Sequence, residues 1–204
     1  MSGAGVFTDA LLASPMPVIM EVKRSDADGA ELMGERTVPE IIAEYTAVGA
    51  ACISVVTGRW FGGNDDMLRE AVAATDLPIL KKDFITREKQ VIEAKEMGAS
   101  AALLTARIMP RSSFQKMIET ILEHGLTPFV EVADHDEIAS VVRAEECIVA
   151  INNKDIRTQE REPGDIDQSR SLLEATIATG TPCTVSASAI TEPKVAAELV
   201  ALGF

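Results

Sequence analysis

Short apolar runs recur along this chain, and most carry a charged, amide or hydroxyl side chain where another hydrophobe would pack better. PVIMEVK (17–23) ends with Glu21 and Lys23, PILKKDF (78–84) carries Lys82, and TPFVEV (127–132) carries Glu131. CIVAINN (147–153) brings Asn152 with Lys154 just beyond it, and CTVSAS (183–188) brings Ser186 and Ser188. With CISVVT (52–57) and SAALLTA (100–106) they make seven runs that read as strands. Between them the apolar spacing becomes helical near 38–48, 65–75, 87–97, 111–124, 135–145 and 167–179, with a last helix near 192–203. Gly49, Gly98, Gly125, Gly180 and Gly203 stand where a chain leaves a helix through positive φ. Thr37 before Pro39, Asp134 with Glu137, and Thr191 before Pro193 read as helix starts.

Strict alternation of strand and helix predicts a parallel sheet with right-handed crossovers, and runs such as SAALLTA fit a sheet covered on both faces. An open doubly wound sheet is the alternative. It gathers ligands at one switch point, whereas polar residues at the ends of nearly all strands favour a barrel, where every loop surrounds one mouth. The expected fold is a (β/α)8 TIM barrel in a single domain over 1–204. Its eighth βα unit is expected to be absent, because seven strands are counted before Phe204.

Burying an unpaired charge is costly, so five polar strand ends in one register imply a shared polar site. Alternation puts Glu21 with Lys23, Asn152 with Lys154, and Ser186 with Ser188 on common sides. Converging with Lys82 and Glu131, they supply ammonium groups, carboxylates, an amide and hydroxyls, a set suited to acid–base work on an anionic substrate. Structural ion pairing explains any one of these pairs, but a core built only for stability would use apolar residues throughout.

Composition narrows the partners. Hydrophobic residues make up 47% and charged residues 25% of the 204, and the net charge is −13. Nucleic acid and anionic membranes both require a basic surface and are excluded as partners, while a phosphorylated small molecule is not. No run approaches the length of a spanning helix. Cys52, Cys147 and Cys183 lack C-x-x-C spacing and read as free thiols in a reducing, cytoplasmic compartment. No cofactor and no metal is called for, and a monomer or weak homodimer is expected.

Longer motifs then accumulate: Ile19, Glu21, Lys23 and Arg24 as I-x-E-x-K-R, Gly49 to Thr57, and the loop with Trp60, Phe61 and Gly63. Leu77 to Ile85, Gln90 to Ala99, Phe129 to Val132 and Ile151 to Asp155 follow. Together they resemble indole-3-glycerol phosphate synthase, from about Phe7 to Phe204. The resemblance implies a carboxy-lyase of tryptophan biosynthesis that closes the ring of 1-(2-carboxyphenylamino)-1-deoxyribulose 5-phosphate with loss of CO2 and water. It implies Lys82 as general acid, Glu131 as base and Lys23 on the substrate carboxylate. Glu21, Asn152 and Ser188 would orient sugar hydroxyls and lysines, and Lys154 would bind substrate. Phe61, Phe84, Leu104 and Ile156 would form the slot for the aromatic ring.

The chain departs from the family pattern at Asp26-Ala27-Asp28, where Ser-Pro-Ser is usual, and at Lys154, usually arginine. Ala187-Ser188-Ala189 replaces Glu-Ser-Gly, and Ala189 is expected to resist positive φ. The eighth strand and most of the N-terminal extension are expected to be missing. These departures fall on phosphate and carboxylate binding, so the alternatives are a divergent paralogue acting on another aryl-amino sugar phosphate or keto-phosphate, or a non-catalytic barrel subunit.

Overall fold

The computed structural model describes residues 5–155 and 163–204. Seven strands form where the apolar runs were found: β1 (Ile19–Val22), β2 (Cys52–Val56), β3 (Ile79–Lys82), β4 (Ala101–Thr105), β5 (Thr127–Val132), β6 (Ile148–Asn152) and β7 (Cys183–Ala187). They pair in chain order, every neighbour parallel. The helices are α1 (Val6–Ala13), α2 (Val38–Ala47), α3 (Asp65–Ala74), α4 (Glu88–Glu96), α5 (Arg111–Glu123), α6 (His135–Ile138), α7 (Ile166–Ile177) and α8 (Pro193–Leu202). The five glycines read as helix ends all have positive φ. Thr37 closes a reciprocal capping box with Glu40 at the start of α2.

Alternation along each strand separates two cores. Val22, Ile53, Val55, Ile79, Leu104, Val130, Val149 and Ile151 face outward and pack with helix residues such as Ile42, Leu68, Val91 and Ile118. Cys52, Leu80, Ala101, Leu103, Phe129, Ile148 and Ala150 face inward and pack with Phe7 and Leu11 of α1. α1 touches β2, β5 and β7 at once. One short helix reaches strands so far apart in the sheet only if the sheet curls around it. Phe7 is wholly buried and meets Phe129 edge-on, ring centroids 6.3 Å apart. The fold is therefore the expected barrel type, with seven parallel strands curled as a half-barrel and helices outside. Among the described residues β7 does not pair with β1.

Two elements differ from the sequence reading. α1 precedes the first helix expected from the apolar spacing. Asp9 lies on the solvent face, while Phe7 and Leu11, four residues apart, lie on the buried one. α6 was expected to run to about residue 145 and ends at Ile138. Asp134 caps it as expected, accepting from the Glu137 amide at 2.9 Å. However, the Ser140 hydroxyl turns back to the Glu137 carbonyl at 2.6 Å, and Arg143 takes φ 52, which no right-handed helix accommodates.

Candidate active site

Because inward positions alternate, the tops of β1, β2, β3 and β5 present Glu21, Ser54, Lys82 and Glu131 to the barrel interior. The Lys82 ammonium donates to the Glu21 carboxylate at 2.7 Å. Ser54, in register with Glu21, also hydrogen-bonds that carboxylate. Burial pushes the Glu21 carboxyl upward, but Lys82 first, then Lys23 and Ser54, outweigh it and hold it below its ordinary value of 4.5. Glu21 is thus an ionised carboxylate inside the mouth.

Glu21, Ser54, Lys82, Phe129, Glu131 and Ser188 line one cavity of about 550 Å³. Its apolar walls continue along β7 and α8 through Val185, Leu199 and Phe204. Glu131 is 3% exposed, so the second carboxylate is more deeply set than the first. Lys23 lies just beyond β1, with its ammonium 4.0 Å from the centre of the Phe61 ring. Asn152 is buried at the top of β6, and its side-chain oxygen accepts from the Lys154 amide at 3.1 Å. Phe84 stands partly exposed on the loop after β3. This arrangement can donate a proton from an ammonium, accept one on a carboxylate, and hold an aromatic group between apolar walls.

The family model for indole-3-glycerol phosphate synthase matches residues 4–204. The chain belongs to that family. It is 39% identical over 151 residues to an indole-3-glycerol phosphate synthase of Leptothrix cholodnii, covering 74% of this chain and 58% of that one. It is 34% identical over 161 residues to the Pyrococcus furiosus enzyme of the same name, 78% of this chain and 70% of that one. A tryptophan biosynthesis protein TrpCD of Archaeoglobus fulgidus is 38% identical over 157 residues, 77% of this chain but 28% of that protein. The match thus spans little more than half of the Leptothrix relative and about a quarter of the Archaeoglobus one. Among solved structures, a chain of the tryptophan synthase a2b2 complex from Pyrococcus furiosus superposes with a TM-score of 0.62. It is 12% identical, over 91% of this chain and 84% of that one. Citrate synthase SbnG superposes at 0.60 with 14% identity, over 81% and 78% of the two chains. Both carry the fold alone.

Within this synthase-family site, not every expected residue converges. Leu104 faces outward into the helix-side core, because its neighbours Leu103 and Thr105 take the inward positions of β4. It does not line the cavity. Ile156 lies outside the described residues. Ser186 does not share a direction with Ser188: it bonds Asn153 and Ser169, whereas Ser188 has left the strand at φ 70. Ala189 takes φ 61, against the expectation that it would resist positive φ. Asp26 serves its own turn, accepting from the amides of Asp28 and Ala30 at 3.0 and 2.8 Å.

Sequence reading passed over four supporting residues. Ser54 stands two positions after the inward Cys52, so alternation alone marks it. Arg107, directly after β4, reaches Glu137 at 2.5 Å and Asp134 at 2.6 Å, tying the loops after β4 and β5. Gln168 in the first turn of α7 donates to the carbonyls of Asn152 at 2.8 Å and Ala133 at 3.2 Å, joining the tops of β6 and β5. Asn153 stands within the Ile151–Asp155 motif, which gave it no role of its own.

Proposed function

We propose that this protein closes the indole ring of 1-(2-carboxyphenylamino)-1-deoxyribulose 5-phosphate, releasing CO2 and water as a carboxy-lyase of tryptophan biosynthesis. The 2.7 Å pairing of Lys82 with Glu21, in the cavity that Glu131 also lines, carries this reading. The Lys82 ammonium donates to the ketone oxygen, which makes that carbon electrophilic enough for the carboxylated ring carbon to attack. Lys23 holds the carboxylate until the carbon–carbon bond to it breaks and CO2 leaves. Glu131 takes the proton whose loss, together with departure of the former ketone oxygen as water, completes the aromatic indole. Each step moves charge next to a fixed opposite charge, the arrangement that most lowers such barriers.

Glu21 and Asn152 orient the lysines and sugar hydroxyls, while Phe61 and Phe84 flank the aromatic ring. Ser188 joins Glu21 and Asn152 at the sugar hydroxyls, and Lys154 binds the substrate. The substrate is a phosphorylated small molecule, and the protein works as a monomer or weak homodimer in the cytoplasm. The three free cysteines support a reducing compartment. Among the described residues no helix is long and apolar enough to cross a membrane.

Incubation with the anthranilate-derived ribulose phosphate, followed by indole fluorescence, tests the proposal. Product is expected from the wild type and not from Lys82→Ala. Equal signals from the two proteins at high concentration would overturn it.

A further inference from the structure

The turn after β7 holds two successive side-chain-bearing residues in the left-handed region, Ser188 at φ 70 and Ala189 at φ 61. L-residues avoid that region because Cβ crowds the following carbonyl oxygen, and they stay there only where their surroundings over-determine them. Both residues line the cavity.

Those surroundings centre on Asn153. Its amide nitrogen donates to the Ser188 carbonyl at 3.1 Å and to the Ser186 hydroxyl at 2.9 Å. Its side-chain oxygen accepts from the Ser169 amide at 3.2 Å and the Ser169 hydroxyl at 2.8 Å. The orientation is dictated by the partners, since a backbone N–H only donates and a carbonyl only accepts. Ser186 and Ser169 lie 2.7 Å apart, so Asn153, Ser186 and Ser169 close a ring of hydrogen bonds in which each donates to the next. Asn153 is 3% exposed and Ser169 wholly buried, so water does not substitute for these partners. The backbone joins in: the Asn153 N–H donates to the Ala187 carbonyl at 2.9 Å, and the Asn153 carbonyl accepts from Asp165 at 2.8 Å. Gly164 closes the packing, because a Cβ there would lie 2.3 Å from Ala189 Cβ.

We propose that Asn153 is a positioning residue, which holds the Ser188–Ala189 turn in its left-handed form and so aims Ser188 and the following amides at the bound substrate. Ser169 and Ser186 lock the Asn153 amide in the one orientation that reaches Ser188. The catalytic consequence rests on the ring-closure reading above; the conformational one does not.

Asn153→Asp tests it. The variant keeps size and shape and still accepts from Ser169, but it loses the donor to Ser188 and sets a carboxylate oxygen against a carbonyl. Amide hydrogen exchange across 187–190 of the ligand-free protein is expected to quicken by about tenfold, the equivalent of one lost hydrogen bond, with β3 and β4 unchanged. KM for the ribulose phosphate is expected to rise by about tenfold with kcat within about twofold. Glycine carries no penalty at positive φ, so Asn153→Asp should cost less KM when combined with Ala189→Gly than it does alone. Ser169→Ala should shift exchange in the same direction by less, and serves if Asn153→Asp does not fold. Additive KM effects of the two substitutions, or exchange that quickens throughout the sheet, would overturn the proposal. A wild type without turnover would sink the ring-closure reading, and the exchange measurements would still decide the role of Asn153.

Discussion

Lys81 and Lys82 are adjacent in β3, yet their ammonium groups bind carboxylates on opposite faces of the sheet, each at 2.7 Å. Lys82 points inward to Glu21, and Lys81 points outward to Asp65 in the first turn of α3. Their loss should have separable effects. Lys82→Ala is expected to lower kcat by at least about a thousandfold, within the range for a removed general acid, and also to cost stability, because Glu21 loses its main partner. Asp65→Ala takes a half-exposed partner from the buried Lys81 and is expected to cost about 1 kcal/mol of stability with kcat unchanged. Urea unfolding and turnover, measured on both variants, check the separation.

Acid should dissolve the Glu21–Lys82 pair in a defined direction. The folded-state value of Glu21 lies below its ordinary 4.5, so ionised Glu21 contributes stability that is fully present above 4.5. That contribution is lost as pH falls through the lowered folded value. The stability difference between wild type and Glu21→Gln is therefore expected to be constant near neutrality and to shrink below pH 4.5. Urea unfolding across a pH series measures it, and a difference that widens on acidification would contradict the ion pair.

Thr105 ends β4 at 5% exposure, and its hydroxyl is buried with no hydrogen-bond partner among the described residues. Valine has nearly the same shape and nothing to satisfy. Thr105→Val is expected to stabilise the fold by about 1 kcal/mol, visible as a rise in Tm.

The thiols should be unreactive in the native state. Burial is the largest cause that pushes Cys52 and Cys147 up to about 12 and Cys183 to about 11. At pH 8 the thiolate of Cys183 is then about one part in a thousand. Iodoacetamide is expected to leave all three unmodified until urea is added, as read by intact-protein mass. Early labelling of Cys52 would show that the barrel floor opens.

The strands were legible because their apolar runs are short, separated by helical spacing and punctuated by glycine. Glu21, Lys82 and Glu131 were legible because an inward charge at a strand top has no packing role. Leu104 was misread for want of one further step: Leu103 and Thr105 already claim the inward side. The shortened α6 escaped notice because the Ser140 back-bond and the left-handed Arg143 leave no mark on apolar spacing. The role of Asn153 was invisible for a deeper reason. Its partners Ser169 and Ser186 lie on other elements, and only the fold joins them.

The contact of α1 with β2, β5 and β7 also sets an order on assembly. Synthesis delivers Phe7 early, but its seat is finished only when the seventh strand has joined the sheet, so docking must await pairings distant in sequence. Until then the nascent chain carries an unsheltered aromatic helix, and α1, made before every strand it packs against, is among the last elements to come to rest.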